Sequence, residues 1–291
     1  MMQHTAANQG SGAAAGKGAV NATALPWSVA TLPFDRIDHA RVRDNEDLFF
    51  VLAGASFVES GSDIYTHNLV EYFGESPVAQ WLAQHWEPEE LQHGRALRAY
   101  IEQVWPEFEW DEAYSRFLAE YSTYCAVEQL EPTPALELAA RCVVETATAT
   151  LYRSLQDYAS EPVLKELAGR IRSDEVRHYK YFHRYFNEYN LSEGNGRWKI
   201  LEALARRVAE VRREDADCAL RHVFEWRYPG RSTDSAQFHR ISALARGLVM
   251  RNASAEMMVK MLLKPLALPA RVQGCVQMPL ARVVQHYLMS R

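Results

Sequence analysis

Two glutamate–histidine pairs of identical spacing are the residues best equipped for chemistry in this 291-residue chain. One is Glu175-x-x-His178 in S-D-E-V-R-H-Y-K-Y-F, and the other is Glu90-x-x-His93 in E-P-E-E-L-Q-H-G. Side chains three apart leave one face of a helix, so each carboxylate and imidazole can meet a single ion. A lone pair says little, because random placement of 26 Glu and 10 His gives about 0.9 of them. Their value depends on what the rest of the chain places beside them.

The chain reads as helix after helix, with no alternating strands, no hairpin turn between apolar runs and no internal repeat. Long helices are expected at about 45–72, 77–104, 134–159 and 162–189, with Gly74, Pro106 and Pro162 as punctuation. A connecting stretch with its own helix at about 111–129, closed by Glu131-Pro132-Thr133-Pro134, separates the two pairs. Asn190 to Gly196 is a break, followed by a charged helix at about 197–226 and shorter apolar helices over 233–289. The expected fold is therefore all-α. It is a ferritin-like four-helix bundle with a long crossover over residues 40–190, and a C-terminal helical extension, 191–291, packed on it. Residues 1–25, small and Gly/Ala-rich, read as a disordered tail without a signal-peptide core.

That layout makes a geometric test possible. In an antiparallel helix pair, residues equidistant from the turn lie at one height. With a turn near Gly74-Glu75 the mate of Glu90 falls at 59 or 60, and residue 59 is Glu. With a turn near Ser160-Glu161 the mate of Glu175 falls at 145 or 146, and residue 145 is Glu. Both lie in apolar runs, where an unpaired carboxylate is costly to bury and a shared cation removes the cost. Glu59, Glu90, His93, Glu145, Glu175 and His178 thus form a candidate ligand set for two metal ions, of the oxygen and nitrogen type that suits iron or a manganese–iron pair. The competing account leaves the glutamates and histidines as ordinary surface groups. Asp174 is placed to accept from His93 across the bundle, or else is a solvated helix charge. Thr148 puts a hydroxyl on the metal-facing side, or else bonds its own helix backbone. Tyr152, Tyr179 and Phe182 read as core packing.

Bulk properties narrow the context. With 48% hydrophobic and 24% charged residues the composition is that of a globular protein, and no apolar stretch is long enough to span a membrane. The four scattered cysteines argue against thiolate motifs or a disulfide framework, which makes a reducing cytoplasm the default. Residues 1–196 carry a net charge of −14 and residues 197–291 a net of +9. The basic third suits either an acidic partner or packing against the acidic part of the same chain. No nucleic-acid partner is expected.

The motifs, taken together over about residues 45–190, resemble those of the soluble acyl-carrier-protein desaturases. W-E-P-E-E-L-Q-H-G is similar to their E-E-N-R-H-G region, S-D-E-V-R-H to their D-E-K-R-H, and Glu145-Thr146-Ala147-Thr148 to their E-R-A-T. Gln92 and Tyr179 depart from that pattern, and the C-terminal third shows no resemblance. The resemblance implies metal-ligand roles for the six residues above and supporting roles for Thr148 and Asp174. It also implies a homodimer that takes up oxygen and receives electrons from a ferredoxin-like donor. The expected reaction attacks an unactivated C–H bond of an apolar, fatty-acyl substrate, whose acidic acyl carrier protein would dock on the basic third. Alternatives are a hydroxylase or N-oxygenase of a small molecule, and a non-catalytic ferritin-like iron-binding protein. A third is an interaction protein that uses M-M-V-K-M-L-L-K-P-L-A-L-P as a partner or membrane-surface groove, against that segment simply packing on the bundle.

Overall fold

A computed structural model describes residues 25–289 except 126–129 and 212–214, and every regular element among the described residues is helical. The expected tail therefore lies, apart from Leu25, outside the described residues. After three short 3-10 turns come α1 (Glu46–Ser60), α2 (Ser62–Phe73), α3 (Pro77–Trp81), α4 (Glu87–Val104), α5 (Trp110–Tyr121), α6 (Pro134–Tyr158) and α7 (Pro162–Glu193). The remainder is α8 (Arg197–Val211), α9 (Asp215–Arg227), α10 (Ala236–Arg251), α11 (Ala255–Leu263) and α12 (Ala270–Met289). None of these is long and apolar enough to cross a membrane.

Local chemistry sets the boundaries. Asn45, Ser76 and Thr133 each cap a helix by accepting a backbone N–H three residues on, and Pro77 and Pro134 open the helices after the last two. The Glu161 carboxylate caps α7 through Val163 N (3.1 Å) and Leu164 N (2.7 Å). Fully buried, it also accepts from the Tyr100 hydroxyl and the Asp38 N–H, which ties the N-terminal segment to the α6–α7 turn.

Several expected boundaries need correcting. The helix at 45–72 is interrupted at Gly61, which closes α1 and opens α2. The helix at 77–104 contains a π-helical turn, Leu82–Trp86, immediately before α4. In the crossover, α5 ends at Tyr121, and 126–129 lie outside the described residues. Helix α7 runs on to Glu193, so the break begins only at Gly194, in the left-handed conformation that ends the helix (φ 65°). The charged segment expected at 197–226 is helical over Arg197–Val211 and Asp215–Arg227, and 212–214 lie outside the described residues.

α1 packs on α4, α6 on α7, and α4 on α7. Two apolar clusters fill this assembly. One takes Phe57 from α1, Ala96 and Leu97 from α4, Tyr152 from α6 and Ile171 from α7. The other takes Leu69 from α2, Trp86, Val143 from α6 and Tyr179 from α7. Between them lies a polar layer, at residues 59, 90–93, 145 and 174–178.

The C-terminal helices cover this assembly, with α9 on α1 and α5, and α8 and α11 on α6. Arg206–Glu131, Arg207–Glu137, Arg221–Glu120 and Arg227–Glu46 pair the basic third with the acidic remainder. Part of the charge asymmetry is thus used inside the molecule. The segment beginning Met257-Met258 packs as well: Met261, Leu262, Leu263 and Leu268 lie on the second cluster, and Met261 O accepts from the Tyr179 hydroxyl at 2.7 Å.

Candidate metal centre

All six predicted ligands converge on the polar layer, and none is more than 6% exposed. α1 brings Glu59, α4 Glu90 and His93, α6 Glu145, and α7 Glu175 and His178. The approach of α1 to α4 depends on Gly94. A Cβ there would fall 2.4 Å from Ser60 Oγ and 2.8 Å from Ser60 N. The residues just before this contact, Glu59 and His93, are thereby drawn together, with His93 Nδ1 at 3.5 Å from Glu59 Oε2.

The donors fall into two overlapping groups. Glu59, Glu90, His93 and Glu175 form one, and Glu90, Glu145, Glu175 and His178 the other. In each group one donor atom per residue lies within 4.8 Å of all the rest. Glu90 and Glu175 belong to both. His93 Nδ1 stands 3.2 Å from Glu175 Oε1 and 3.8 Å from Glu90 Oε2; His178 Nδ1 stands 2.9 Å from Glu90 Oε1 and 3.6 Å from Glu145 Oε2.

The opposite ring nitrogens face carboxylates outside the groups. His93 Nε2 is 3.1 Å from Asp174 Oδ2, as expected, and His178 Nε2 is 2.7 Å from Glu89 Oε2. Glu89 is absent from the expected site, although a sequence signal for it exists. E-E-L-Q-H and D-E-V-R-H are one pattern used twice, and the acid before Glu90 or Glu175 accepts from the histidine of the other helix. Arg177 joins both acids, donating to Glu89 Oε2 (2.5 Å) and Asp174 Oδ1 (2.8 Å). Trp27 donates its indole N–H to Asp174 Oδ2 at 2.7 Å, and its ring stacks on His93.

Two hydroxyls complete the layer. Thr148 Oγ1 lies 3.3 Å from the carbonyls of Val144 and Glu145 but 2.5 Å from Glu175 Oε2, so its single proton goes to the carboxylate. Thr148 thus faces the carboxylate layer rather than bonding its own helix backbone. Tyr152, expected as core packing, is buried and also donates to Glu59 Oε1.

The donor set fits metal ions on the molecule's own terms. His93 Nδ1, His178 Nδ1, Glu145 Oε2 and Glu175 Oε1 are buried side-chain atoms with no hydrogen-bond partner. With the Nε2 protons held by Asp174 and Glu89, each Nδ1 presents a lone pair to carboxylate lone pairs a few ångströms away. Without a cation or extra protons this arrangement is repulsive. Four carboxylates and two neutral imidazoles carry the charge that two divalent ions cancel.

The electrostatics of the metal-free layer agree. Burial, reinforced by the Glu90 charge, pushes Glu59 up to about 7. Burial likewise raises Glu145 and Glu175, each with a neighbouring carboxylate adding to it. For His93 and His178 desolvation works downward but is outweighed by the surrounding carboxylates, Asp174 first for His93 and Glu145 first for His178. Both imidazoles therefore sit well above their ordinary range. Glu90, between the two rings, is held low by their proximity against the same desolvation.

No protein-family model and no curated protein matches the chain.

Proposed function

We propose that this chain is a di-iron, or manganese–iron, oxygen-dependent oxidoreductase on a ferritin-like four-helix bundle. The observation that carries the reading is the pair of overlapping donor groups sharing Glu90 and Glu175, with the unpartnered Nδ1 of both histidines facing the shared carboxylates. Glu59 and His93 would hold one ion, Glu145 and His178 the other, and Glu90 and Glu175 would serve both. Such a metal pair supplies oxygen reduction and attack on an unactivated C–H bond.

The protein's own part is orientation and exclusion of water. Asp174 and Glu89 hold the Nε2 protons and so fix the histidine tautomers. Tyr152 and Thr148 hold protons at Glu59 Oε1 and Glu175 Oε2, which biases both carboxylates toward their other oxygen as donor. The apolar clusters on either side keep the layer dry, which strengthens every electrostatic interaction within it.

For the substrate, the motif resemblance favours an apolar acyl chain on an acidic carrier. Cavities of about 430 and 420 Å³ open near Asp44 and Trp226, and neither is lined by a centre residue. The acyl reading therefore rests on the resemblance alone.

Anaerobic loading with ferrous iron tests the centre. Two ions per chain and a diferric absorption band after oxygen are expected, and Glu145→Ala or Glu175→Ala variants that still bind two ions as well as wild type would sink the ligand assignment. Incubation with acyl-loaded carrier protein, ferredoxin and a reductase then tests the reaction by mass. Loss of two hydrogens supports desaturation, and gain of one oxygen marks a hydroxylase instead.

A further inference from the structure

A second cluster of ligating side chains lies away from the polar layer, where the crossover helix α5 meets α9. Glu120 comes from α5, and Cys218 and His222 come from α9 at a spacing of four, which places both on one helix face. A carboxylate oxygen, the thiol sulfur and a ring nitrogen lie within 4.8 Å of one another. Cys218 is fully buried, and the His222 side chain is nine-tenths buried.

We infer that Glu120, Cys218 and His222 form a separate site for a single zinc-type divalent cation, clamping the C-terminal extension to the crossover helix. Sulfur, imidazole and carboxylate are the donor types zinc takes, and three protein ligands leave one position for solvent. The half-exposed side of Glu120 is where solvent would enter, since its side chain is 30% exposed.

The surroundings suit such an ion. His222 turns Nε2 to Glu120 Oε2 at 2.9 Å, while Nδ1 makes no hydrogen bond and faces Glu225 Oε2 at 3.6 Å. A ligating imidazole commonly gives its second N–H to a carboxylate, and a small closure would let Glu225 take that role. Arg221 (2.6 Å) and the Tyr124 hydroxyl (2.6 Å) fix the other oxygen of Glu120, leaving Oε2 for the ion. A divalent ion, the Arg221 cation, the Glu120 and Glu225 carboxylates and a Cys218 thiolate together sum to zero charge. Binding releases the thiol proton to solvent and involves no change of oxidation state.

Cobalt(II) separates this site from the polar layer, whose assigned donors include no sulfur. Adding it to the metal-free full chain should give a near-ultraviolet sulfur-to-cobalt charge-transfer band that saturates at one ion per chain and is erased by zinc. The band should vanish in Cys218→Ser, weaken in His222→Gln, and persist in a Glu145→Ala/Glu175→Ala double variant. No band in the wild-type chain overturns the proposal without recourse to any variant. A band that survives Cys218→Ser, or one that disappears in Cys142→Ser, overturns it as well. Loss of the polar layer's metals in the double variant, with the cobalt band intact, would leave the α5–α9 site standing by itself.

Discussion

The two halves of the polar layer are built from one five-residue pattern and differ in what stands behind it. Behind His93, the Asp174 oxygen that faces the ring is shared with the Trp27 indole, while Arg177 takes the other oxygen. Behind His178, a single Glu89 oxygen receives both the ring and Arg177. The acid supporting His93 thus keeps its charge facing the histidine against a neutral donor, and the acid supporting His178 has it offset at the same atom. Position differs too. Trp27 belongs to the N-terminal segment and is half-buried, whereas His178 meets Trp81 and Trp86 edge-on inside the core. Two ions held in this layer would therefore be inequivalent, and Trp27 would report to only one of them.

The shared and unshared ligands give the sharpest way to break the comparison. Glu90→Ala removes a donor from both groups and should abolish binding of both ions. Glu59→Ala and Glu145→Ala each strip one group and should leave about one ion per chain, as counted by metal analysis after desalting. Equal loss in all three variants would mean that the layer does not divide into two groups.

The helix crossing beneath the His93 half is the next largest effect. Gly94→Ala puts a methyl against the Ser60 backbone, and overpacking of this kind costs roughly 1–3 kcal/mol. Metal binding should fall on the Glu59–His93 side first, because the same crossing sets their separation. Thermal unfolding together with metal counting checks this, and a variant with wild-type stability and two ions would contradict it.

How much of this was readable from the chain follows from the range of each interaction. Equal height about a turn reaches Glu145 because α6 and α7 are unbroken helices of regular rise, and it reaches Glu59 even though the Gly61 interruption and a π-helical turn lie between it and Glu90. Asp174 is reachable because it adjoins Glu175. Glu89 is equally local, and symmetry with Asp174 points to it, yet a doublet of acids draws attention to only one member. Trp27 is a different matter. It meets Asp174 across 147 residues, and no periodicity in an irregular segment encodes such a contact. The Gly61 interruption and the π-helical turn at Leu82–Trp86 are hidden for a related reason. The apolar pattern itself runs straight through both, so periodicity alone does not mark them.

The supporting carboxylates rank below the ligands and bear directly on the inequivalence. Asp174→Asn and Glu89→Gln keep the shape and remove the charge behind one histidine each, and loss of such a partner commonly costs 10–100-fold in metal affinity. Asp174→Asn should weaken one ion more than Glu89→Gln weakens the other, since Arg177 already offsets Glu89 at the oxygen that His178 uses. Stepwise titration with a competing chelator resolves the two affinities. Equal losses would remove the distinction between the halves.

The last effect is a pH dependence of the metal-free chain, and its sign is fixed by the direction of the shifts. Glu59 moves from an ordinary 4.5 when unfolded to about 7 when folded, through burial first and the Glu90 charge second. Glu145, Glu175 and both histidines are raised as well. Over this range the folded chain holds more protons than the unfolded one, so stability is full below the unfolded values and is lost as pH rises through the folded ones. Asp174 and Glu89, held low by their hydrogen bonds despite desolvation, act in the opposite direction only as pH falls below the ordinary carboxylate range. Between about pH 5 and 8 the metal-free protein should therefore lose on the order of a few kcal/mol, and its Tm should fall. Metal ions bound in this layer would replace those protons, so the Tm gap between loaded and metal-free protein should widen over the same interval, with proton release on loading. A metal-free Tm that rises from pH 5 to 8, or a gap that narrows, would mean that protons do not stand in for the ions in this layer.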